Sequence, residues 1–321
     1  MNIIENNEGL KELIKSIKPT DTVYIDLECE NNMHQYGVFC CLIQVEHEGT
    51  HIIDTLKVSK KIISELFMHP CQKVFHDITF DFRVIQNEYG CVPINHLDTQ
   101  LAAMMVGETK LGFGSLVEKY LKVTLDKHGQ RANWSKRPIN KKLLEYAAND
   151  VKYLKPLLDC LLTKLNERVE WLKEECAYRE TLDWPLHTPH WNDLKNLRSL
   201  TEKQLYKAQM LWYKRETLAQ KLDKPVYMVI SNKNIIKCAL GQRVPAHPKF
   251  REFLSLKPVE GEPLPIRDTK RYNIQEYKEL RDQKSVEQNV SPDILFPLHD
   301  MRLLHDGKNM LRNWQKKILY P

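Results

Sequence analysis

Four acidic residues and one tyrosine in this 321-residue sequence have the side chains needed to hold divalent cations around a phosphodiester. Asp26 and Glu28 lie two residues apart in the apolar segment 23–28, which is typical of a β-strand. Alternation along a strand places Asp26 and Glu28 on one face and Leu27 on the other. Two carboxylates that share a face repel each other unless a cation lies between them. The segment therefore predicts a strand that carries two cation ligands.

Two further segments supply the remaining oxygen ligands. Tyr146 and Asp150 are spaced i, i+4 among helix-forming residues, so they share one face of a predicted helix. Asp81 lies near the start of another predicted helix, shortly after His76. Each pattern alone is more common as a solvated surface or, for Asp81, as an acid that stabilises a helix start. Their order along one chain is what favours a single site.

The elements that would position these residues begin as a group of strands and then alternate between strand and helix. This pattern favours an α/β domain built on a mixed sheet. Asp98 and Thr99 are predicted to cap a helix rather than bind metal. Thr201 is predicted to begin a second, helical block through a capping box. We predict strands over 23–27, 38–45, 51–53 and 73–76, and helices over 8–18, 56–68, 80–89, 99–105, 115–121 and 141–164.

The segments that carry the acids, together with those between them, resemble the DEDD superfamily of 3′–5′ exonucleases. Tyr146 ahead of Asp150 is typical of its tyrosine-bearing branch, and the connecting sequence is similar to that of ribonuclease D. The block around Trp212 resembles the helical HRDC module. The similar segments are 23–28, 42–44, 74–81, 97–103, 116–127, 134–138, 145–154, 212–225 and 231–236.

The resemblance implies a fold and a domain organisation. We expect a ribonuclease H-like mixed-sheet exonuclease domain over residues 1–170 and a linker over residues 171–195. An all-α, HRDC-like nucleic-acid-binding region is expected over residues 196–321. Within that region, residues 255–321 carry only a faint likeness and are poorly assigned.

The resemblance also implies the cofactors and the reaction. Asp26, Glu28 and Asp150 would hold one cation, Asp26 would bridge to a second, and Asp81 would support the second. Oxygen ligands of this kind indicate two Mg²⁺ or Mn²⁺ ions rather than Zn²⁺. The Tyr146 hydroxyl would orient or deprotonate the attacking water, and nucleoside 5′-monophosphates would leave the 3′ end.

Two positions depart from the family pattern. Leu27 stands where threonine is common, but its alternation away from the two acids leaves the ligands unchanged. Asp77 follows His76 where a small residue is usual, and it adds a fifth acid beside the site. We do not expect Asp77 to be a ligand.

Several residues are candidates for substrate contact. His76 is expected either to contact the scissile phosphate or terminal ribose or to serve a structural role. Lys127, Arg131 and Trp134 lie in a basic loop and are expected to pair with or stack on the RNA, although Trp134 could equally pack against the domain. The HRDC-like block offers further phosphate contacts in Lys207, Lys214, Arg215, Lys221 and Lys224.

Charge is divided unevenly along the sequence, and no feature indicates a membrane. Residues 186–321 hold 25 lysines and arginines against 15 acidic residues, whereas residues 1–185 hold 23 against 27. A basic region suits a polyanion, and we expect RNA 3′ ends, such as those of tRNA precursors, as the partner. The eight cysteines lack metal-ligand or disulfide spacing, which indicates reduced thiols and a cytoplasmic location.

Two other functions stay open at this point. The chain could be a DNA 3′–5′ exonuclease of the same superfamily, since the HRDC-like block favours RNA without excluding DNA. It could also be a non-catalytic RNA-binding adaptor, although the complete set of acids argues against lost chemistry.

Overall fold

A six-stranded mixed sheet organises the acidic half of the molecule in this computed structural model. The structure describes residues 1–126, 129, 131–254, 261–267, 270 and 272–321, with only the backbone of Glu252. The strands are β1 (Asn2–Ile4), β2 (Thr22–Asn31), β3 (Val38–Glu46), β4 (Thr50–Asp54), β5 (Gln72–Phe75) and β6 (His96–Asp98). Their order in the sheet is β1-β4-β3-β2-β5-β6. The predicted α/β class is confirmed.

The central position of β2 explains why its acids are shielded. β2 pairs in parallel with β5, which pairs in parallel with β6, while β3 and β4 are antiparallel. Val23 and Ile25 are fully buried on one face, and Tyr24 is 9% exposed on the other. A strand covered on both faces leaves its polar side chains little access to water except at the end of the strand.

Two compact units divide the described chain. The first contains Met1–Glu28, Cys40–Leu186 and the described part of Arg271–Pro321, and the second contains Cys29–Phe39 and His187–Lys270. The helices of the first unit up to residue 180 are α1 (Asn7–Ser16), α2 (Lys60–Phe67), α3 (Thr79–Tyr89), α4 (Thr99–Met105), α5 (Phe113–Leu121), α6 (Lys141–Lys152), α7 (Leu154–Leu165) and α8 (Val169–Glu180). The second unit holds α9 (Glu202–Leu222), α10 (Val226–Val229), α11 (Asn232–Ala239) and α12 (Pro248–Leu254). The first unit resumes with α13 (Gln275–Gln288), α14 (Pro292–Leu295), α15 (Leu298–His305) and α16 (Asn313–Leu319).

Two predicted elements need correction. The single helix predicted over 141–164 is wrong, because α6 ends at Lys152 and α7 begins at Leu154. Pro156 lies in the first turn of α7, where a missing N–H costs nothing, and proline there favours a new helix start over a continuous helix. Residues 169–180, placed partly in the predicted linker, form the regular helix α8.

The C-terminal segment belongs to a different unit from the one expected from the predicted domain boundaries. Residues 272–321 belong to the first unit rather than to the helical region expected over 196–321. Their apolar side chains provide the reason, since Phe296 and Trp314 are buried in the same core as Leu157 of α7. The Trp314 ring stacks on Trp171 of α8 with centroids 5.3 Å apart. The functional assignment of the domains stays a prediction.

The second unit is helical, as expected for this part of the chain. Thr201 caps α9 and Gln204 returns the hydrogen bond to the Thr201 backbone, so the predicted capping box is confirmed. Arg215, expected to contact phosphate, is instead 2% exposed and paired with Glu216. Among the described residues, which include all eight cysteines, no disulfide is formed. Within the described ranges, every helix is too short or too polar for a membrane span.

Candidate active site

Three of the predicted ligands meet at one place. The carboxylate oxygens of Asp26, Glu28 and Asp150 lie within 4.8 Å of one another. Asp26 and Glu28 project from β2, and Asp150 lies in the last turns of α6, whose start is capped by the side chain of Asn140. Segments separated by more than a hundred residues therefore converge on one cluster, which we call the carboxylate cluster.

Asp81 lies beside the carboxylate cluster rather than within it. It belongs to the first turn of α3 and is 8% exposed. Burial raises the pKa of Asp81 well above its ordinary value, and the charge of Asp26 raises it further. Asp81 is therefore coupled electrostatically to Asp26, and its place next to a second cation stays a prediction.

Simultaneous ionisation of the three acids of the carboxylate cluster and Asp81 is electrostatically unfavourable. Burial raises the pKa of Asp26 to about 7 and, with repulsion from Asp26, the pKa of Asp150 to about 8. The pKa of Glu28 is raised well above its ordinary value by burial and by its acidic neighbours. Among the described residues, no lysine or arginine forms an ion pair with any of these four carboxylates. The missing positive charge is the property that a cation would supply.

The donor set fits hard divalent cations. It consists of carboxylate oxygens, with the hydroxyl of Tyr146 nearby, and such ligands suit Mg²⁺ or Mn²⁺. Asp26, Glu28 and Asp150 would hold one cation, and Asp26 with Asp81 would hold another.

Tyr146 contacts the cluster through a hydrogen bond to Asp150. Burial raises the pKa of the Tyr146 phenol well above its ordinary value, and the charge of Asp150 adds to the effect. The i, i+4 spacing on α6 places the two side chains together, as predicted. The phenol therefore stays protonated near neutral pH and offers a proton to a hydrogen bond.

A cavity of about 400 Å³ opens next to the carboxylate cluster. Its walls include a part that sequence reasoning missed, the first turn of α5. The run Gly112-Phe113-Gly114-Ser115 was a usable signal, because glycines beside a helix start leave backbone N–H groups accessible. The lining residues are Asp26, Glu28, His76, Gly112, Phe113, Gly114, Ser115, Leu125, Asp126, Tyr146, Asp150 and Leu154.

His76 lies in the wall of this cavity. Its Nδ1 atom is 2.8 Å from the Thr99 hydroxyl, which itself donates to the Phe75 carbonyl. Nδ1 must therefore be the donor toward Thr99. Burial lowers the pKa of His76, so the imidazole is neutral near pH 7. The ring is therefore fixed by the domain, and its contact with a substrate stays a prediction.

The remaining sequence candidates are dispersed. Lys127 lies outside the described residues. Arg131 is exposed, whereas Trp134 is 3% exposed and packs next to Tyr146. Their roles in substrate binding stay predictions.

Two acids that were set apart from the ligands have other contacts. Asp98 caps α4 by accepting from the Gln100 N–H, so its predicted role is confirmed. Asp98 also accepts a hydrogen bond from the Asp77 N–H, and Asp77 adopts a left-handed backbone with φ of 57°.

Comparison with known proteins gives consistent matches. A profile of the 3′–5′ exonuclease family matches residues 1–166. Ribonuclease D of Jannaschia sp. is 34% identical over 217 residues, which cover 64% of this chain and 56% of that protein. The chain spans between 56% and 66% of the length of five bacterial ribonuclease D relatives that it matches.

Two solved structures share the fold. The crystal structure of Escherichia coli RNase D, described as an exoribonuclease involved in structured RNA processing, matches with a TM-score of 0.71 and 24% identity. That match covers 99% of this chain and 96% of the other. The catalytic core of RRP6 from Trypanosoma brucei matches with a TM-score of 0.67 and 23% identity, over 75% of this chain and 70% of the other.

Proposed function

This chain belongs to the 3′–5′ exonuclease family, and we propose that it removes nucleotides from the 3′ ends of RNA with divalent cations as cofactors. The observation that carries the proposal is the carboxylate cluster, in which three ligand oxygens lie within 4.8 Å of one another. Relatives named ribonuclease D support RNA as the substrate class.

Four acids would hold Mg²⁺ or Mn²⁺. Bound divalent cations would stabilise the charge on the attacking and leaving oxygens of an in-line displacement. Asp26, Glu28 and Asp150 would be the ligands of one ion, and Asp81 would support the other. The raised pKa values of Asp26 and Asp150 mean that protons compete with the cations near neutral pH.

Tyr146 holds and orients the attacking water. Because the pKa of its phenol is raised, Tyr146 keeps its proton near neutral pH rather than acting as a base. Its single O–H is donated to the Asp150 carboxylate, so the phenol oxygen would accept a hydrogen bond from the water. Tyr146→Phe is therefore expected to reduce kcat while preserving the affinity for cations.

The cavity takes the terminal nucleotide. Its volume of about 400 Å³ lies within the range of roughly 300–1,000 Å³ that is typical of small-molecule sites. The first turn of α5 lines this space, and helix starts favour phosphate oxygens. His76 also lines it, and because Nδ1 donates to Thr99, the neutral ring leaves Nε2 as an acceptor that suits a ribose hydroxyl rather than a phosphate oxygen.

Substrate range and location belong to the same proposal. The RNA would be a structured molecule with a 3′ tail, such as a tRNA precursor, and the HRDC-like second unit would add phosphate contacts. Exposed Lys221 and Lys224 at the end of α9 are suitable for such contacts, whereas buried Arg215 is not. Eight cysteines without a disulfide among the described residues are consistent with a cytoplasmic location.

A nucleotide-resolution assay tests the proposal. Purified protein would be incubated with 5′-labelled 3′-tailed RNA and with DNA of the same sequence, each with Mn²⁺, Mg²⁺ or EDTA. We expect stepwise shortening of the RNA from its 3′ end, release of nucleoside 5′-monophosphates, and no reaction in EDTA. The matched DNA is expected to be shortened more slowly.

The other outcomes identify the competing functions. Faster shortening of DNA would identify a DNA exonuclease. Binding of RNA without shortening in Mn²⁺ would identify a non-catalytic adaptor and overturn the proposed reaction.

A further inference from the structure

The loop between α5 and α6 contacts Tyr146 at two points. The Trp134 ring lies with its centroid 6.0 Å from that of Tyr146, and the two planes are tilted by 37°. Trp134 is 3% exposed, so almost none of its surface is left for a nucleic-acid base. Buried aromatic pairs at this separation restrict each other's motion.

Gly129 makes the second contact. A Cβ atom added to Gly129 would overlap the Cγ, Cδ1 and Cε1 atoms of the Tyr146 ring. Backbone and ring therefore approach as closely as only glycine permits. Because Cγ is at the base of the ring, a small rotation of Tyr146 would not relieve the overlap.

A buried ion pair fixes this loop to the sheet. The Arg137 guanidinium makes two hydrogen bonds of 2.7 Å to the carboxylate of Asp54, which is 1% exposed. Another donor of Arg137 reaches the Trp134 carbonyl at 2.6 Å, and a further one reaches the Cys41 carbonyl at 3.1 Å. Planar, bidentate pairing of this kind defines position in a way that lysine cannot reproduce.

We propose that Trp134 is a positioning residue for Tyr146, and that the Arg137–Asp54 pair holds Trp134 in place. The inference rests on the catalytic role of Tyr146 in the proposed function. Trp134 acts through the phenol by limiting the directions in which its hydroxyl can point. It contacts neither the RNA nor the reacting atoms.

A double-mutant cycle distinguishes positioning from the other roles of a tryptophan. The kcat and KM values of wild type, Trp134→Ala, Tyr146→Phe and the double variant would be measured on a 3′-tailed RNA in Mn²⁺. We expect Trp134→Ala to lower kcat by between about tenfold and 100-fold with KM changed less than about twofold, since small displacements of a catalytic group have effects of this size. In the Tyr146→Phe background the same change is expected to lower kcat by less than about twofold.

Two results of this cycle would overturn the inference. An equal loss of kcat in both backgrounds would show that Trp134 acts independently of the phenol. A rise in KM as the main effect would show that Trp134 binds RNA. Trp134→Phe should recover most of the lost activity, and Arg137→Lys should show an intermediate loss.

A measurement without activity covers the case in which Tyr146→Phe is inert. Protein labelled with 3-fluorotyrosine gives thirteen ¹⁹F resonances, one for each tyrosine, and Tyr146→Phe identifies the one that belongs to Tyr146. We expect Trp134→Ala to shift or broaden this resonance. Trp171→Ala is the matched control, because Trp171 stacks on Trp314 and should leave the resonance unchanged.

The two proposals fail in distinguishable ways. An inactive wild-type protein would defeat the proposed function, yet the resonance would still report on the contact between Trp134 and Tyr146. An unchanged Tyr146 resonance in Trp134→Ala, in an active enzyme, would defeat the positioning role alone. If Trp134→Ala does not fold, Trp134→Leu replaces it in both measurements, and Trp134→Phe remains the variant that restores the contact.

Discussion

Two groups of carboxylates lie in the first unit, and they differ in whether arginine side chains pair with them. Near the C-terminus, Glu175 and Asp300 accept from Arg312 at 2.7 and 2.8 Å, and Arg179 reaches Glu175 at 3.1 Å. Glu175 and Asp300 are 2% and 5% exposed. The carboxylate cluster on β2 and α6 is partly buried, and no lysine or arginine among the described residues pairs with it.

The difference separates an acid group that is paired within the fold from one for which we propose a role in catalysis. Buried charge is costly unless it is paired, so the arginine-paired group is internally satisfied. Burial raises the pKa values of Asp26, Glu28 and Asp150, and no basic side chain among the described residues offsets it, whereas the Arg312 guanidinium opposes the rise that burial causes at Asp300. An unpaired group that costs stability is expected where a ligand supplies the missing charge.

The strongest test of this contrast removes one acid from the unpaired group. Asp150→Asn deletes a cation ligand and the partner of Tyr146, so we expect kcat to fall at least about 100-fold. Single-turnover assays in Mn²⁺ would measure the loss. Asp159→Asn on α7 is the control, because Asp159 is exposed and pairs only with exposed Lys155. Retained activity in Asp150→Asn would contradict the ligand assignment.

Breaking the paired group should damage stability instead. Arg312→Ala leaves Glu175 and Asp300 buried without their shared partner, and we expect the free energy of unfolding to fall by about 3–5 kcal/mol. Urea unfolding followed by circular dichroism would measure it. Lys317 is exposed on α16, the helix that Arg312 caps. Lys317→Ala is expected to change the free energy of unfolding by less than about 0.5 kcal/mol. A neutral Arg312→Ala would mean that the pair contributes nothing.

The response to pH should also distinguish the two groups. The pKa values of Asp26 and Asp150, about 7 and about 8, exceed the ordinary 3.8, so the folded protein binds more protons than the unfolded chain between about pH 4 and pH 8. The free energy of unfolding of the EDTA-treated protein is therefore expected to decrease as pH rises through this window.

Bound cations, or the loss of one carboxylate, should counteract this decrease in the free energy of unfolding. Mn²⁺ is expected to raise the melting temperature more at about pH 8 than at about pH 5, where protons occupy the ligands. Without metal, Asp150→Asn should melt above wild type at about pH 8, by roughly 2–4 °C for each kcal/mol of repulsion removed. A melting temperature independent of pH in both proteins would refute the electrostatic description of the cluster.

The smallest effect is expected at the fifth acid. Asp77 is exposed as a residue and lies outside the carboxylate cluster. Partial desolvation of its carboxyl group and the charge of Asp98 raise the pKa of that group. Asp77→Asn keeps a residue that tolerates the left-handed backbone, and kcat should change by less than about threefold. A loss comparable to that of Asp150→Asn would place Asp77 among the ligands.

Local patterns predicted the elements that carry the site. Alternation over 23–28 gave β2, the i, i+4 spacing joined Tyr146 to Asp150, and the capping boxes and caps at Thr201 and Asp98 were found where expected. Short strands such as Asn2–Ile4 and His96–Asp98 escaped detection. Three residues are too few for alternation to be distinguished from chance, and pairing with neighbouring strands decides their conformation.

The sequence by itself was enough to predict the four candidate ligands and Tyr146, because residue type and local periodicity can be read directly from it. It did not determine what surrounds them. Some contacts depend on side chains that are distant in sequence. Trp134 packs on Tyr146, Arg137 binds Asp54, and residues 272–321 join the core of the first unit. Only the tertiary structure brings such partners together. It therefore decides which acids are paired with an arginine and which have no basic partner among the described residues.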